Sequence, residues 1–161
     1  MIKGLHHNAY RCRDSEETRR FYEDFLGLPL VQSLWIKETK SGRQTDTLHT
    51  FYRMDDGSCL AFFEAPDMPF EFKPQHDYDL HIALEVDRPT LDAMFAKGHA
   101  SDVETRGVSN HGFIDSIYFR DPNGYVIELT TKRQGHDQTM EPTANAAREK
   151  LDRWQTEKRA P

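Results

Sequence analysis

The segment DLHIALEVD, residues 79–87, decides how the rest of the chain is read. Its side chains alternate. Ile82, Leu84 and Val86 form an apolar row, and His81, Ala83 and Glu85 stand on the other face, the period-two pattern of a half-buried strand. Asp87 closes the strand where a helix begins, with Pro89 in the first turn and Leu91, Met94 and Phe95 at helical spacing up to Gly98. The same order occurs earlier: His7 precedes Asp14 by seven residues, as His81 precedes Asp87 by six, and both aspartates stand where a helix starts.

Working outward, residues 4–13 read as extended, and Asp14 with Glu17, or Ser15 with Thr18, supplies N-cap chemistry for a helix carrying Phe21, Tyr22, Phe25 and Leu26. Gly27 ends that helix and Pro29 prevents its return. Three strands follow at 29–39, 46–54 and 58–65, joined by Lys40-Ser41-Gly42 and Asp55-Asp56-Gly57. A proline-rich linker, 66–78, leads to the segment quoted first. After its helix come strands at 101–107, 113–120 and 124–131, with Asp121-Pro122-Asn123-Gly124 as a turn. A duplicated βαβββ unit is the simplest account, which makes the chain an α+β protein. Residues 1–132 form one domain, module one at 1–66 and module two at 78–132. The tail, 133–161, loses the strand pattern. Ala146, Ala147, Leu151 and Trp154 share one face of a helix after Pro142, expected to pack on the domain or on a second subunit, with a disordered tail as the alternative.

The chain has 161 residues and a formal net charge of −6 with both signs interspersed, which argues against binding to a nucleic-acid backbone. No apolar run reaches the roughly 20 residues that span a bilayer, and MIKGLHHNAY lacks the apolar core of a secretory signal. A cytoplasmic location and no membrane partner are the expectation. Cys12 and Cys59 lie in strand-like segments without a CxxC pattern and read as two free, buried thiols.

Strand alternation selects the candidate site. Tyr125, Ile127 and Leu129 form a packing row, leaving Val126, Glu128 and Thr130 opposite. In the first strand Tyr10 and Cys12 are the packing row, so His7, Ala9 and Arg11 face the other way. Two histidines and a carboxylate, His7, His81 and Glu128, make a facial triad, which leaves up to three positions open on an octahedral ion such as Fe(II) or Mn(II). Such positions accept two adjacent substrate oxygens. Arg11 on the same side suits an anionic substrate. His49, His76 and His99 have no matching partners and read as surface or structural. A phosphate loop, a GxSxG elbow and a Cys-His pair at recognisable spacing are absent.

The strings LHHNAYRCRD (5–14), LHIALEVD (80–87) and YFRDPNGYVIEL (118–129) resemble the vicinal-oxygen-chelate superfamily, which includes glyoxalase I, fosfomycin-resistance proteins and type I extradiol dioxygenases. The resemblance covers about residues 3–131. It implies that the modules form a half-open, cup-shaped mixed sheet with helices outside, around one divalent metal. Fe(II) is favoured, with Mn(II), Ni(II) and Zn(II) as alternatives. Within the superfamily, SNHGFIDSIYFRDPNGYVIE (109–128) is similar to the signature of extradiol ring-cleaving enzymes, in which a His, a Tyr and a metal-binding Glu follow in order. His111, Tyr118 and Glu128 occupy those places, and Ser109 departs from the pattern. The implied reaction is ring opening of a catechol-like small molecule by dioxygen, with His111 as acid/base and Tyr118 bonding a substrate oxygen. Glu64, near the end of the fourth strand, lies where glyoxalases and fosfomycin-resistance proteins place a further ligand or base, so a glyoxalase-like lyase or isomerase is the alternative. A non-enzymatic binding protein is the third reading. The resemblance also implies a homodimer, with the cup built by one chain or by modules of two.

Overall fold

The structure is a computed structural model, and residues 1–158 are described. The repeat is present in full. Module one contains β1 (Tyr10–Arg11), α1 (Ser15–Arg19), β2 (Leu30–Glu38), β3 (Gln44–Arg53) and β4 (Cys59–Glu64). Module two contains β5 (His81–Glu85), α2 (Arg88–His99), β6 (Thr105–Asn110), β7 (Ile114–Arg120) and β8 (Val126–Lys132). Helix α1 widens without a break into a π-helical stretch, Arg20–Phe25. Each module makes its own four-stranded mixed sheet, in the orders β1-β4-β3-β2 and β5-β8-β7-β6. In both, the first strand runs parallel to the fourth and the other pairs are antiparallel.

Capping explains where the helices start. The Asp14 carboxylate accepts from the backbone N–H of Glu16 (2.9 Å) and Glu17 (2.8 Å), and Asp87 accepts from Thr90 (2.8 Å). One hydrophobic core then joins the modules. Tyr22, Tyr52, Leu60 and Phe62 of module one and Leu91, Ile117, Phe119 and Ile127 of module two are fully buried or nearly so and belong to one cluster. Phe25 meets Phe119 edge-on at 5.1 Å, and Tyr22 stands 4.6 Å from Phe62 while its hydroxyl donates to buried Asp121 at 2.9 Å. Burial of each such side chain contributes about 1.5–3 kcal/mol. The helix-facing rows of both sheets therefore look into this shared core. Their other rows, including His7 and His81, turn away from it.

Two expectations need correction. Residues 4–13 are less regular than alternation suggests: only Tyr10–Arg11 is strand, with one further bridge from His7 to Cys59. Helix α2 closes near Gly98, as expected, one residue later at His99, and Gly98 itself is buried where a Cβ would stand 2.3 Å from Thr105 Oγ1 and 2.6 Å from Phe119 Cε1. The strand expected at 101–107 begins only at Thr105, after a turn. The tail forms α3 (His136–Met140), α4 (Pro142–Asn145) and α5 (Ala147–Glu157). Leu151 and Trp154 of its apolar stripe are exposed, so the packing expected for it is not made within the chain. Among the described residues no helix is long and apolar enough to cross a membrane.

Candidate metal centre

Register places equivalent residues of the two modules side by side. In module two Ala83 pairs with Glu128 across β5–β8, and Glu128 pairs with Tyr118 across β7–β8. In module one the register Tyr10–Phe62 carries Ala9 opposite Ala61, and Ala61 pairs with Phe51. His7, Phe51 and Ala61 thus occupy the places of His81, Tyr118 and Glu128. Only module two carries a complete polar set.

That set is connected. His81 Nε2 lies 3.4 Å from Glu128 Oε2, the Tyr118 hydroxyl lies 3.5 Å from Glu128 Oε1, and His111 Nε2 lies 2.8 Å from the Tyr118 oxygen. Glu128 and Tyr118 are buried, whereas the His81 side chain is 40% exposed. His111 is delivered by the β6–β7 turn, where its N–H bonds the Ile114 carbonyl and Asn110 caps Gly112. Burial, reinforced by the Glu128 carboxylate, holds the Tyr118 hydroxyl above its ordinary pKa. Tyr118 is therefore a neutral phenol at neutral pH, able to donate one hydrogen bond.

The donor chemistry fits a divalent cation. His81 Nδ1 faces the Asp77 carbonyl, and since a carbonyl only accepts, in the neutral ring Nδ1 carries the proton and Nε2 presents its lone pair toward Glu128. A bare imidazole nitrogen and a carboxylate oxygen at 3.4 Å repel unless a proton or a cation lies between them. Two ligands at about 2.1 Å from one ion stand about 3.0–3.4 Å apart, depending on coordination geometry. The observed gap matches that span.

His7 is not part of this cluster. Its ring lies on the equivalent face of module one, 5.4 Å from Phe51 and 6.1 Å from His49, with His6 Nδ1 2.7 Å from its own Nδ1. Among the described residues no group of three His, Cys, Asp or Glu side chains is close enough to share an ion. One chain brings together His81, Glu128, Tyr118 and His111 and leaves His7 apart. Glu64 also stands elsewhere. It is three positions beyond Ala61, an odd step that turns it to the helix-bearing face, where its Oε2 accepts from the Ser15 N–H at 2.7 Å. The expectation of a further ligand or base is corrected: Glu64 caps α1, because the first N–H groups of a helix need acceptors.

His49 is structural, as expected, stacked on Phe63 at 3.6 Å with Nδ1 bonded to the Phe62 carbonyl, and burial lowers its pKa. Arg11 bonds the carbonyls of Ala65 (2.9 Å) and Met68 (2.8 Å) and borders a cavity of about 270 Å³ lined by Ile36, Thr45, Thr47 and Phe63. Sequence reading missed Asp77 and Arg106, which touch His81 and Tyr118. Asp77 lies in the irregular linker, where alternation gives no signal.

The family model described as "Glyoxalase/Bleomycin resistance protein/Dioxygenase superfamily" matches residues 4–129. Lactoylglutathione lyase of Neisseria meningitidis is 28% identical over 87% of this chain and 99% of its own length. The putative ring-cleaving dioxygenase MhqA of Bacillus subtilis is 26% identical over 83% of this chain and 42% of its own. Among solved structures, a mutant of the fosfomycin resistance protein FosX from Listeria monocytogenes, complexed with Mn(II) and 1S,2S-dihydroxypropylphosphonic acid, superposes with a TM-score of 0.59 at 21% identity. That match covers 85% of this chain and 98% of FosX.

Proposed function

Because the chain belongs to the glyoxalase/bleomycin resistance protein/dioxygenase superfamily, we propose that it is a divalent-metal enzyme acting on a small molecule held through two adjacent oxygens, and that its reaction is extradiol-type ring cleavage of a catechol-like compound. The observation that carries this reading is the unbroken line His111–Tyr118–Glu128–His81. When bound, the metal supplies a positive centre that holds a substrate's paired oxygens and accepts charge from them.

The protein's own residues have separable parts. His81 and Glu128 would hold the ion from one chain, and His7 of a second copy would supply the third ligand. A twofold homodimer meets this need, since it sets the module-one face of each copy over the module-two face of the other. His49, Phe51 and Phe63 of that second copy would then form an aromatic wall beside the site, suited to a flat ring. Tyr118 donates a hydrogen bond to the substrate oxygen nearest Glu128. His111, in contact with the Tyr118 hydroxyl, takes a proton from the substrate and returns it to the product oxygen.

Metal-depleted protein loaded with Fe(II) without air, then exposed to air and a panel of catechols, is expected to give yellow ring-opened products. Bound iron with no catechol consumed overturns the reaction. Mixing His7→Ala with Glu128→Ala tests the shared site: each is inactive alone, and the mixture is expected to recover about a quarter of wild-type activity, since half the dimers are mixed and each holds one intact site. No recovery, despite subunit exchange, overturns it.

A redox-neutral isomerisation has the similarity to lactoylglutathione lyase in its favour. It predicts turnover without oxygen and needs a second carboxylate on the metal face, where this chain carries Ala61.

A further inference from the structure

We infer that Asp77 and Arg106 are a positioning pair that presets both His81 and Tyr118 before any ligand arrives, an inference that rests on the reading of His81 as a metal ligand. Asp77 sits in the linker four residues before His81, in a turn closed by bonds from the Asp79 and Leu80 N–H groups to the His76 carbonyl (2.9 and 3.1 Å). Its backbone carbonyl faces His81 Nδ1. Its side chain is gripped by Arg106 of β6 through two parallel bonds, Nη1 to Oδ2 at 3.1 Å and Nη2 to Oδ1 at 2.8 Å. The fork-to-fork geometry fixes direction as well as distance, which a lysine cannot do.

The same guanidinium lies 5.1 Å from the centroid of the Tyr118 ring, its cross-strand partner. One cation therefore contacts the phenol that leads to His111 and, through Asp77, the turn that leads to His81. A second arginine fixes the neighbouring linker: Arg120 Nη1 donates to the Gln75 carbonyl at 3.0 Å. Without such anchors the linker between the modules would be free to move the Asp77 carbonyl, and His81 would sample both tautomers and several rotamers. A ligand histidine held by a carbonyl keeps its lone pair on the metal side and loses little entropy on binding.

The pair has no counterpart in module one. The residue four before His7 is Lys3, exposed and with no hydrogen-bond or ion-pair partner among the described residues, and the His7 Nδ1 meets only His6. Positioning of this kind is built where the buried carboxylate is.

The test uses full-length, metal-free protein and three variants: Arg106→Lys, which keeps the charge and loses the fork, Arg106→Gln, and Asp77→Asn, which keeps the carbonyl and loses the ion pair. Long-range proton–nitrogen spectra of histidine-labelled protein, with His81 assigned through His81→Gln, report its tautomer directly. Wild type is expected as the Nδ1–H form and each variant as a mixture. Mn(II) affinity measured by titration is expected to fall about 10-fold to 100-fold in each single variant, and the double variant Asp77→Asn/Arg106→Gln is expected to fall no further than the weaker single one, because both break one unit. An unchanged His81 tautomer in Arg106→Lys and Asp77→Asn overturns the inference even if the proteins bind Mn(II). If wild type binds no Mn(II), the metal reading falls while the tautomer spectra still decide the positioning role.

Discussion

Module one and module two have the same strand order, the same parallel pairing of first and fourth strands, and helices capped by aspartates at matching places. On the face turned away from the common core they differ. Module two presents His81, Tyr118 and Glu128, where module one presents His7, Phe51 and Ala61. One copy of the repeat thus keeps an imidazole, a phenol and a carboxylate in line, while the other keeps the imidazoles of His7 and His49 among aromatic rings. The contrast teaches that duplication preserves what the core needs, since the equivalent residues Leu60 and Ile127 are both fully buried, and frees the outer row to diverge. On the proposed reading His7 alone cannot hold an ion, and the two faces are complementary.

The largest effect that would break this comparison comes from the carboxylate. Glu128→Gln removes the one anionic donor of the set, and divalent-metal affinity is expected to fall by more than about 100-fold, beyond the range for residues that only support a ligand. The module-one counterpart, Ala61→Ser, is expected to leave affinity unchanged, and titration with Mn(II) reads both. Any large loss in Ala61→Ser would show that the two sites are not divided as described.

A smaller effect separates Tyr118 from Phe51. Tyr118→Phe is expected to keep the metal and lower kcat about 100-fold, as loss of a positioned hydrogen-bonding group does. Phe51→Leu conserves most of its volume and is expected to cost under about 1.5 kcal/mol of stability, with its kinetic effect confined to KM. Steady-state kinetics beside metal analysis would distinguish these results.

Glu64 sharpens the comparison through stability. Glu64→Ala removes the acceptor for the Ser15 N–H, and is expected to cost about 0.5–2 kcal/mol, or roughly 2–6 °C in Tm for a chain of this size. Metal content is expected to stay the same. A calorimetric scan and a metal assay on one preparation check both halves.

The smallest effect concerns the two thiols. Burial pushes the Cys12 thiol up to about 11, while Cys59 is only half-buried on the outer face beside His7. The thiolate is the reactive form, so at pH 8 about one Cys12 in a thousand is ionised even before access is considered. Iodoacetamide at pH 8 is expected to modify Cys59 in the native protein and Cys12 only after unfolding. Reactivity of Cys12 rises as the pH approaches 11. Mass spectrometry of peptides reads both positions.

Much of this was legible from residue patterns. Alternation in DLHIALEVD and YVIELT put His81 and Glu128 on one face and the apolar row on the other, because a strand's side chains have a period of two wherever one side is buried. Asp14 and Asp87 announced the helices because a short carboxylate just before an apolar stripe satisfies free N–H groups. The role of Glu64 was left open by the residue pattern because it depends on where Ser15 lies in space, forty-nine residues away. Gly98 marked the end of α2 to within one residue, but its burial against Thr105 and Phe119 could not be read in one dimension.

The amino-acid order by itself determined the duplicated α+β architecture and the two lines of side chains, one apolar and one polar, on each module's strands, since these follow from local periodicity and capping. Only the tertiary structure decided that His81 meets Glu128, Tyr118 and His111 while His7 stands apart, and that Asp77 and Arg106 reach the same place. Those relations depend on how sheets and linker pack around a shared core, and long-range packing leaves no periodic trace in a sequence.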